Sequence, residues 1–326
     1  MKHLLLHVGL GKTATTSLQY SFFKELSRLK KIKYYGPFEI NNYFNRKRNF
    51  KYIHPYYKVK KKFKDLQMTK YSIISYESLS GFFFDPFNYE KCAKINQKIF
   101  GKKTHILLTI RKPTDFINSL YAQFIRENIL KRPEDIFLMK KDYSQKIKKY
   151  EKNKRIEYWS YEDLNFDKLI NIYKNYFKKV TVIKYESIIN NSFIKKLNFI
   201  TLSKDEEKYL SESLVKTKTN KALGLYSIYF LITLEKIFKV SKLNNFVDEI
   251  VKKISRKKKR SFLNKILLIS IKYLNIVYLT SITLDKILPY KSFKINLDNS
   301  DFKRIKNLDK KYNKIKEKTY INTKLK

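Results

Sequence analysis

Residues 7–19 read His7-Val8-Gly9-Leu10-Gly11-Lys12-Thr13-Ala14-Thr15-Thr16-Ser17-Leu18-Gln19, directly after the apolar run Leu4-Leu5-Leu6. Leu4, Leu5, Leu6 and Val8 read as a strand. From Thr13 onward, Leu18, Phe22, Leu26 and Leu29 recur at helical spacing. In the loop between, Gly9 and Gly11 are expected to let the backbone turn sharply. Lys12 adds a point charge, and Thr13, Thr15 and Thr16 add hydroxyl donors. A loop of this kind turns backbone N–H groups onto an anion at a helix N-terminus. The stretch therefore predicts a phosphate-type cradle. A nucleotide triphosphatase loop would need Gly, four residues, then Gly-Lys-Ser/Thr. Counted back from Gly11-Lys12-Thr13, that first glycine falls on Leu6, inside the strand.

What stands instead is Gly9-x-x-Lys12-Thr13-Ala14-Thr15-Thr16. It resembles the 5′-phosphosulfate loop of sulfotransferases that use 3′-phosphoadenosine 5′-phosphosulfate (PAPS). That family usually carries Gly where Ala14 stands, and a small residue there still permits close approach. The resemblance implies that Gly9, Gly11, Lys12, Thr13, Ala14, Thr15 and Thr16 hold the cofactor. A second segment points the same way. His105 to Ile110 reads as a buried strand ending at Arg111, Pro113 opens a helix, and Ser119 and Tyr121 follow on it. Arg at a strand end, Pro two later and Ser eight later is similar to the 3′-phosphate site of the same family. A guanidinium fork suits a phosphate dianion and a hydroxyl adds a neutral donor; the plainer reading of Arg111 is a cap on a surface strand.

Tyr71 to Glu77 reads as a third strand with a carboxylate at its end. In open α/β sheets ligands bind outside the carboxyl ends of strands. Ser75-x-Glu77 resembles a segment of bacterial sulfotransferases, some of whose relatives use a glutamate as base. Glu77 is thus the expected general base, with His54 next in line. The alternative for Glu77 is a structural carboxylate that holds Lys12 or a loop N–H.

The 326 residues suffice for one large domain or a domain plus an extension. The single cysteine, Cys92, excludes internal disulfides and any multi-cysteine metal site. The four histidines, at 3, 7, 54 and 105, show no metal-ligand spacing, and the chemistry implied by the resemblance needs no metal. Seventy-two Lys and Arg against 29 Asp and Glu give a formal charge of +43. The abundance of Lys, Asn, Ile, Tyr and Phe beside scarce Gly and Pro marks much of this as compositional bias on solvated faces. The remainder still attracts an acidic glycan or an anionic membrane surface; no specific nucleic acid is expected. The first core strand starts beside Met1, and no run of 18 apolar residues follows. The expected location is the cytoplasm, with peripheral contact at the inner face of the membrane.

Further along, Ile32 to Tyr35 and Lys179 to Lys184 read as strands, and Tyr89 to Phe100 as a helix. Glu186, after the latter strand, reads as a carboxylate pinning a loop, with catalysis as the alternative. Residues 38–68 are basic and aromatic without clear period, and Lys216, Lys218 and Lys221 stand beside an apolar helix reaching Phe238. Strands alternating with helices argue for an α/β fold, a parallel sheet with helices on both faces. The resemblance makes it a P-loop-like sulfotransferase core over 1–240. Residues 241–326 then form a basic helical C-terminal extension packed on that core. Within it, 252–260 hold seven basic residues in nine, followed by an apolar stretch to Leu279. This pairing suits either a membrane surface or a helical tail with its lysines in water. Asp301 to Tyr320 reads as a last helix with Leu308, Tyr312 and Ile315 on one face.

The combined reading is a PAPS-dependent sulfotransferase acting on a hydroxyl or amine, with Lys12 and Glu77 catalytic and a bacterial surface glycan or lipid-linked glycan as acceptor. Two rivals stay open. One is a nucleotide-dependent kinase, against which the loop spacing counts; the other is a basic polyanion- or membrane-binding protein with a decayed cofactor site.

Overall fold

Short apolar runs bounded by charged or turn residues form β1 (His3–His7), β2 (Lys33–Tyr35), β3 (Tyr71–Ser75), β4 (His105–Ile110), β5 (Lys179–Lys184) and β6 (Thr319–Ile321). A computed structural model describes residues 3–41, 68–80, 89–138, 164–197, 199–216, 223–240, 286–296 and 299–325, with 63, 66, 159–160, 279 and 283–284. The strands make one six-stranded sheet in the order β2-β3-β1-β4-β5-β6. All neighbours are parallel except β5 and β6, which are antiparallel. The chain is an α/β protein, as its alternating pattern predicts.

The first helix, α1, spans 15–28 in three pieces: Thr15–Ser17, a π-type turn Leu18–Phe22, and Phe23–Arg28. It is followed by α2 (Pro37–Asn41), α3 (Tyr89–Phe100), α4 (Pro113–Arg126) and α5 (Pro133–Ile136). Then come α6 (Phe166–Tyr176), α7 (Tyr185–Ile189), α8 (Lys204–Lys216), α9 (Leu225–Phe238) and α10 (Asn299–Lys314). Side chains alternate across a strand, so the sheet buries two faces. On one, Leu5, Ile73, Leu107 and Ile183 pack with Phe22, Phe23 and Leu26 of α1 and Leu210 and Leu214 of α8. On the other, Leu6, Ile74, Leu108 and Val182 are fully buried beneath α3 and α6. There Asn96 Nδ2 and Tyr173 Oη both donate to the Leu79 carbonyl, at 2.7 and 3.3 Å. Burying each such aliphatic side chain contributes about 1.5–3 kcal/mol.

The chain forms two compact units, one of residues 1–116, 139–219 and 303–326, the other of 117–138 and 220–302. The six-stranded sheet lies wholly in the first. In the second, the Tyr121 ring stacks on Phe293 at 5.1 Å, Tyr229 meets Phe293 edge-on, and Ile295 N–H donates to Asn118 Oδ1 at 2.9 Å. Among the described residues no helix is long and apolar enough to cross a membrane.

The C-terminal segment departs from its sequence reading. The helix expected to reach Tyr320 stops at Lys314, and Thr319–Ile321 joins the sheet edge instead. The cause is tertiary. Glu317 turns inward and accepts from the Lys184 N–H at 2.6 Å, from the Ser187 hydroxyl at 2.6 Å and from the Lys196 ammonium. Burial pushes the Glu317 carboxyl up, but the bonds from Lys196, Ser187 and Lys184 outweigh it and hold the pKa below its ordinary value. Tyr312, buried with Ile305 and Ile315, donates to Glu186 Oε2 at 2.6 Å. Glu186 is thus a structural carboxylate. Asp309 caps α4, accepting from the Thr114 N–H at 3.0 Å and its hydroxyl at 2.5 Å. His105 Nε2, Thr181 Oγ1 and Thr319 Oγ1 follow one another at 2.7 Å steps across β4, β5 and β6.

Glu317→Ala strands three donors, and one such loss to a charged acceptor costs about 1.5–3 kcal/mol. Urea denaturation is expected to show at least that loss, with the midpoint lowered. A midpoint equal to wild type would remove Glu317 as the clamp on the last strand.

Candidate functional site

Parallel strands carry all their carboxyl ends to one edge. The chain runs from β1 outward to β2 and β3 on one side and to β4 and β5 on the other. Such a reversal opens a crevice at the strand ends beside the central strand. Register fixes what lies there. His7 sits opposite Ser75, Val8 N–H donates to the Leu107 carbonyl at 3.0 Å, and Tyr76 N–H reaches the His7 carbonyl at 3.5 Å. The residues that follow, 8–14, Glu77 and Arg111, therefore gather at one place.

The loop's backbone differs from the expectation. Neither Gly9 nor Gly11 has positive φ; the left-handed residues are Lys12 (φ 69°) and Ala14 (φ 64°). Gly9 is required for space, because a Cβ there would lie 2.0 Å from Thr109 Oγ1 and 2.8 Å from His7 Nε2. Alternating left-handed residues turn successive N–H groups into one concavity, the geometry of an anion nest. Left-handed backbone costs a non-glycine residue about 1–2 kcal/mol, a cost that glycine at the position of Ala14 would not carry.

Beneath the loop runs a buried polar chain. Gln19 Nε2 donates to Ser75 Oγ at 3.1 Å, and Ser75 Oγ lies 2.7 Å from His7 Nδ1. His7 Nε2 lies 3.3 Å from Thr109 Oγ1, which lies 2.7 Å from Thr13 Oγ1. Thr13 Oγ1 donates to the Leu10 carbonyl at 2.6 Å. The Thr13 hydroxyl, expected to face a ligand, is turned inward and braces the loop. Burial lowers the His7 pKa to about 3, so the imidazole is neutral.

Above the loop, the Thr15 hydroxyl donates to Glu77 Oε1. The first turn of α1 thereby holds the expected base, and Thr15 spends its proton inside the protein. Thr16 is exposed on the same turn. Arg111 Nη1 donates to the Lys12 carbonyl at 3.1 Å, and its guanidinium carbon lies 4.2 Å from the centre of the Tyr185 ring. Its buried Nε finds no acceptor among the described residues. The structure thus brings Gly9, Lys12, Thr13, Ala14, Thr15, Glu77 and Arg111 together. Ser119 is half-buried on α4, in the second compact unit. His54, Lys218 and Lys221, most of 38–68 and all of 252–278 lie outside the described residues, as does the Lys216 side chain.

No protein-family model matches the chain, and no curated protein matches it. The residues that sequence reasoning missed are His7, Gln19, Ser75, Thr109 and Tyr185. A signal for three of them was present. Leu5-x-His7, Ile73-x-Ser75 and Leu107-x-Thr109 each replace an inward apolar residue by a polar one two positions on, on the same sheet face.

Ala14→Gly removes left-handed strain without adding atoms. The expected result is a stability gain of up to about 1 kcal/mol, read by thermal unfolding; a clear loss would contradict the loop geometry. Acid stability is a second measurable consequence. Burial lowers both His7 and His105 to about 3, with Lys179 adding to the shift at His105, against about 6.5 unfolded. Below pH 6.5 the unfolded chain takes protons that the native state refuses, so stability is complete above 6.5 and falls toward pH 3. The slope is about 1.4 kcal/mol per pH unit per histidine. Urea unfolding at pH 7.5 and 5.5 is expected to show this loss, reduced by half in His105→Gln. A flat profile would mean that neither ring is buried neutral.

Proposed function

We propose that this protein is a PAPS-dependent sulfotransferase of P-loop-like fold, transferring a sulfuryl group to a hydroxyl or amine of a surface glycan or lipid-linked glycan. The observation that carries the reading is the setting of Arg111. Its guanidinium carbon lies 4.2 Å from the centre of the Tyr185 ring and its Nη1 donates to the Lys12 carbonyl, while its Nε–H is buried with no acceptor among the described residues. A desolvated donor left unpaired costs free energy, and a phosphate oxygen would satisfy it. The adjoining loop, with its alternating backbone hand and Lys12, suits a second anionic group.

PAPS, when bound, supplies an activated sulfuryl group on a phosphate leaving group. Lys12 and the loop N–H groups would stabilise the negative charge that gathers on the leaving oxygen, a positional and electrostatic role. Arg111 would hold the 3′-phosphate. Glu77 would take the acceptor proton on Oε2, since Oε1 accepts from Thr15. The Thr15 bond fixes the carboxylate's direction. The reading includes a cytoplasmic site of action at an anionic membrane surface. Tyr229, Ile237 and Phe238, exposed on α9 beside Lys236 and Lys239, support that contact.

Isothermal titration with PAP, the desulfated product, tests the reading. Micromolar binding is expected, with discrimination against ATP and no need for Mg²⁺. Arg111→Ala should weaken it and raise the KM for PAPS. Lys12→Ala should fold and lose about 10²–10³ in turnover, and Glu77→Gln should bind PAP and lose turnover. A folded protein that ignores PAP would end the proposal, and Mg²⁺-dependent ATP turnover would replace it with a kinase.

A further inference from the structure

The buried chain under the loop has one consistent set of proton directions. It is anchored at the Leu10 carbonyl, which can only accept. Thr13 spends its single hydroxyl proton on that carbonyl, so its oxygen must accept from Thr109. Thr109 then has no proton left for His7, and its oxygen accepts from His7 Nε2–H. A neutral imidazole has one N–H, so Nδ1 accepts from the Ser75 hydroxyl. The Ser75 oxygen in turn accepts from the Gln19 amide. No donor faces a donor, and the members come from α1, β3, β1, β4 and the cradle loop. Gly9 leaves the room that the His7 and Thr109 side chains occupy.

We propose that His7 is a positioning residue. Fixed as the neutral Nε2–H tautomer, it orients a one-way hydrogen-bond chain from Gln19 to Leu10 that holds the cradle loop in its anion-binding form. The reversed tautomer would set Nδ1–H against Ser75 and leave the Thr109 oxygen facing a bare nitrogen lone pair. The direction of the Thr13 hydroxyl would then lose its support, and with it the turn that places Lys12 and Ala14 in left-handed backbone. Only the link to ligand binding rests on the sulfotransferase reading; the tautomer and the bracing of the loop do not.

The test has two arms on the full chain. Histidine ¹⁵N labelling, with His7→Phe to assign the signal, should show a proton on His7 Nε2 and none on Nδ1. A proton on Nδ1 would overturn the chain. In the second arm, amide hydrogen exchange across residues 9–16 is compared in wild type, Thr109→Val and Thr109→Ser. Valine keeps the volume and cuts the link, while serine keeps the hydroxyl. Exchange should rise about fivefold or more in Thr109→Val, the size of one lost hydrogen bond, and return to wild type in Thr109→Ser. PAP affinity should follow the same order. Equal loop exchange in all three proteins would overturn the positioning role. The expected exchange pattern in a protein that does not bind PAP would uphold the brace and remove the sulfotransferase reading alone. Should Thr109→Val fail to fold, the labelling arm still decides the tautomer and Thr109→Ala replaces the valine in the exchange arm.

Discussion

The imidazole of His7 sits where three strand ends meet, between Ser75 of β3 and Thr109 of β4, and the site is arranged around it. Two positions earlier on the same face, Leu5, Ile73 and Leu107 form apolar core. At the ends of the strands that core gives way to a polar row. A buried polar row is stabilising only when every member is paired, and here each one is. That condition links the sheet to the loop, because the last partner in the row, Thr13, belongs to the loop and not to a strand.

The same loop carries strain, with Lys12 and Ala14 both left-handed. Strained backbone persists only where its surroundings over-determine it. Three separate bonds do so: Thr13 to Leu10 from below, Arg111 to the Lys12 carbonyl from the side, and Thr15 to Glu77 from the helix. None of the three needs a ligand. The protein's own contacts thus suffice to hold the concavity.

Much of this was readable from residues alone. β4, β5 and α3 stand at the residues their patterns predict, since each is a bounded run whose periodicity matches its burial. β3 stops at Ser75, two residues short of its expected end, because Glu77 opens a 3-10 turn closed by Ser80 N–H on its carbonyl. β6 was illegible: Thr319–Ile321 is a short, half-exposed edge following a helical pattern, and only the distant partners of Glu317 break that helix. At the site, residue types and spacing located the loop, Glu77 and Arg111. Side-chain direction was not encoded in that spacing. Thr13 points in, Thr15 points to Glu77, and the left-handed positions are not the glycines, since each choice depends on neighbours about 60 to 100 residues away.

Arg111 shows why direction matters more than charge in this site. The chain carries 72 Lys and Arg, so positive potential alone distinguishes no position. What sets Arg111 apart is that it is held on two sides. The guanidinium carbon lies over the Tyr185 ring, 4.2 Å from its centre, and the Lys12 carbonyl takes one terminal N–H. A planar fork so held has its remaining donors aimed along one edge, among them the Nε–H that no described residue accepts. Lysine at this position would keep the charge and lose the plane, the stacking and the bond to Lys12. Because the Lys12 carbonyl is presented to Arg111 by left-handed backbone, the two ends of the site are coupled. Whatever loosens the loop also removes one of the two contacts that hold the guanidinium, so the loop contributes to orienting both the cradle and the fork.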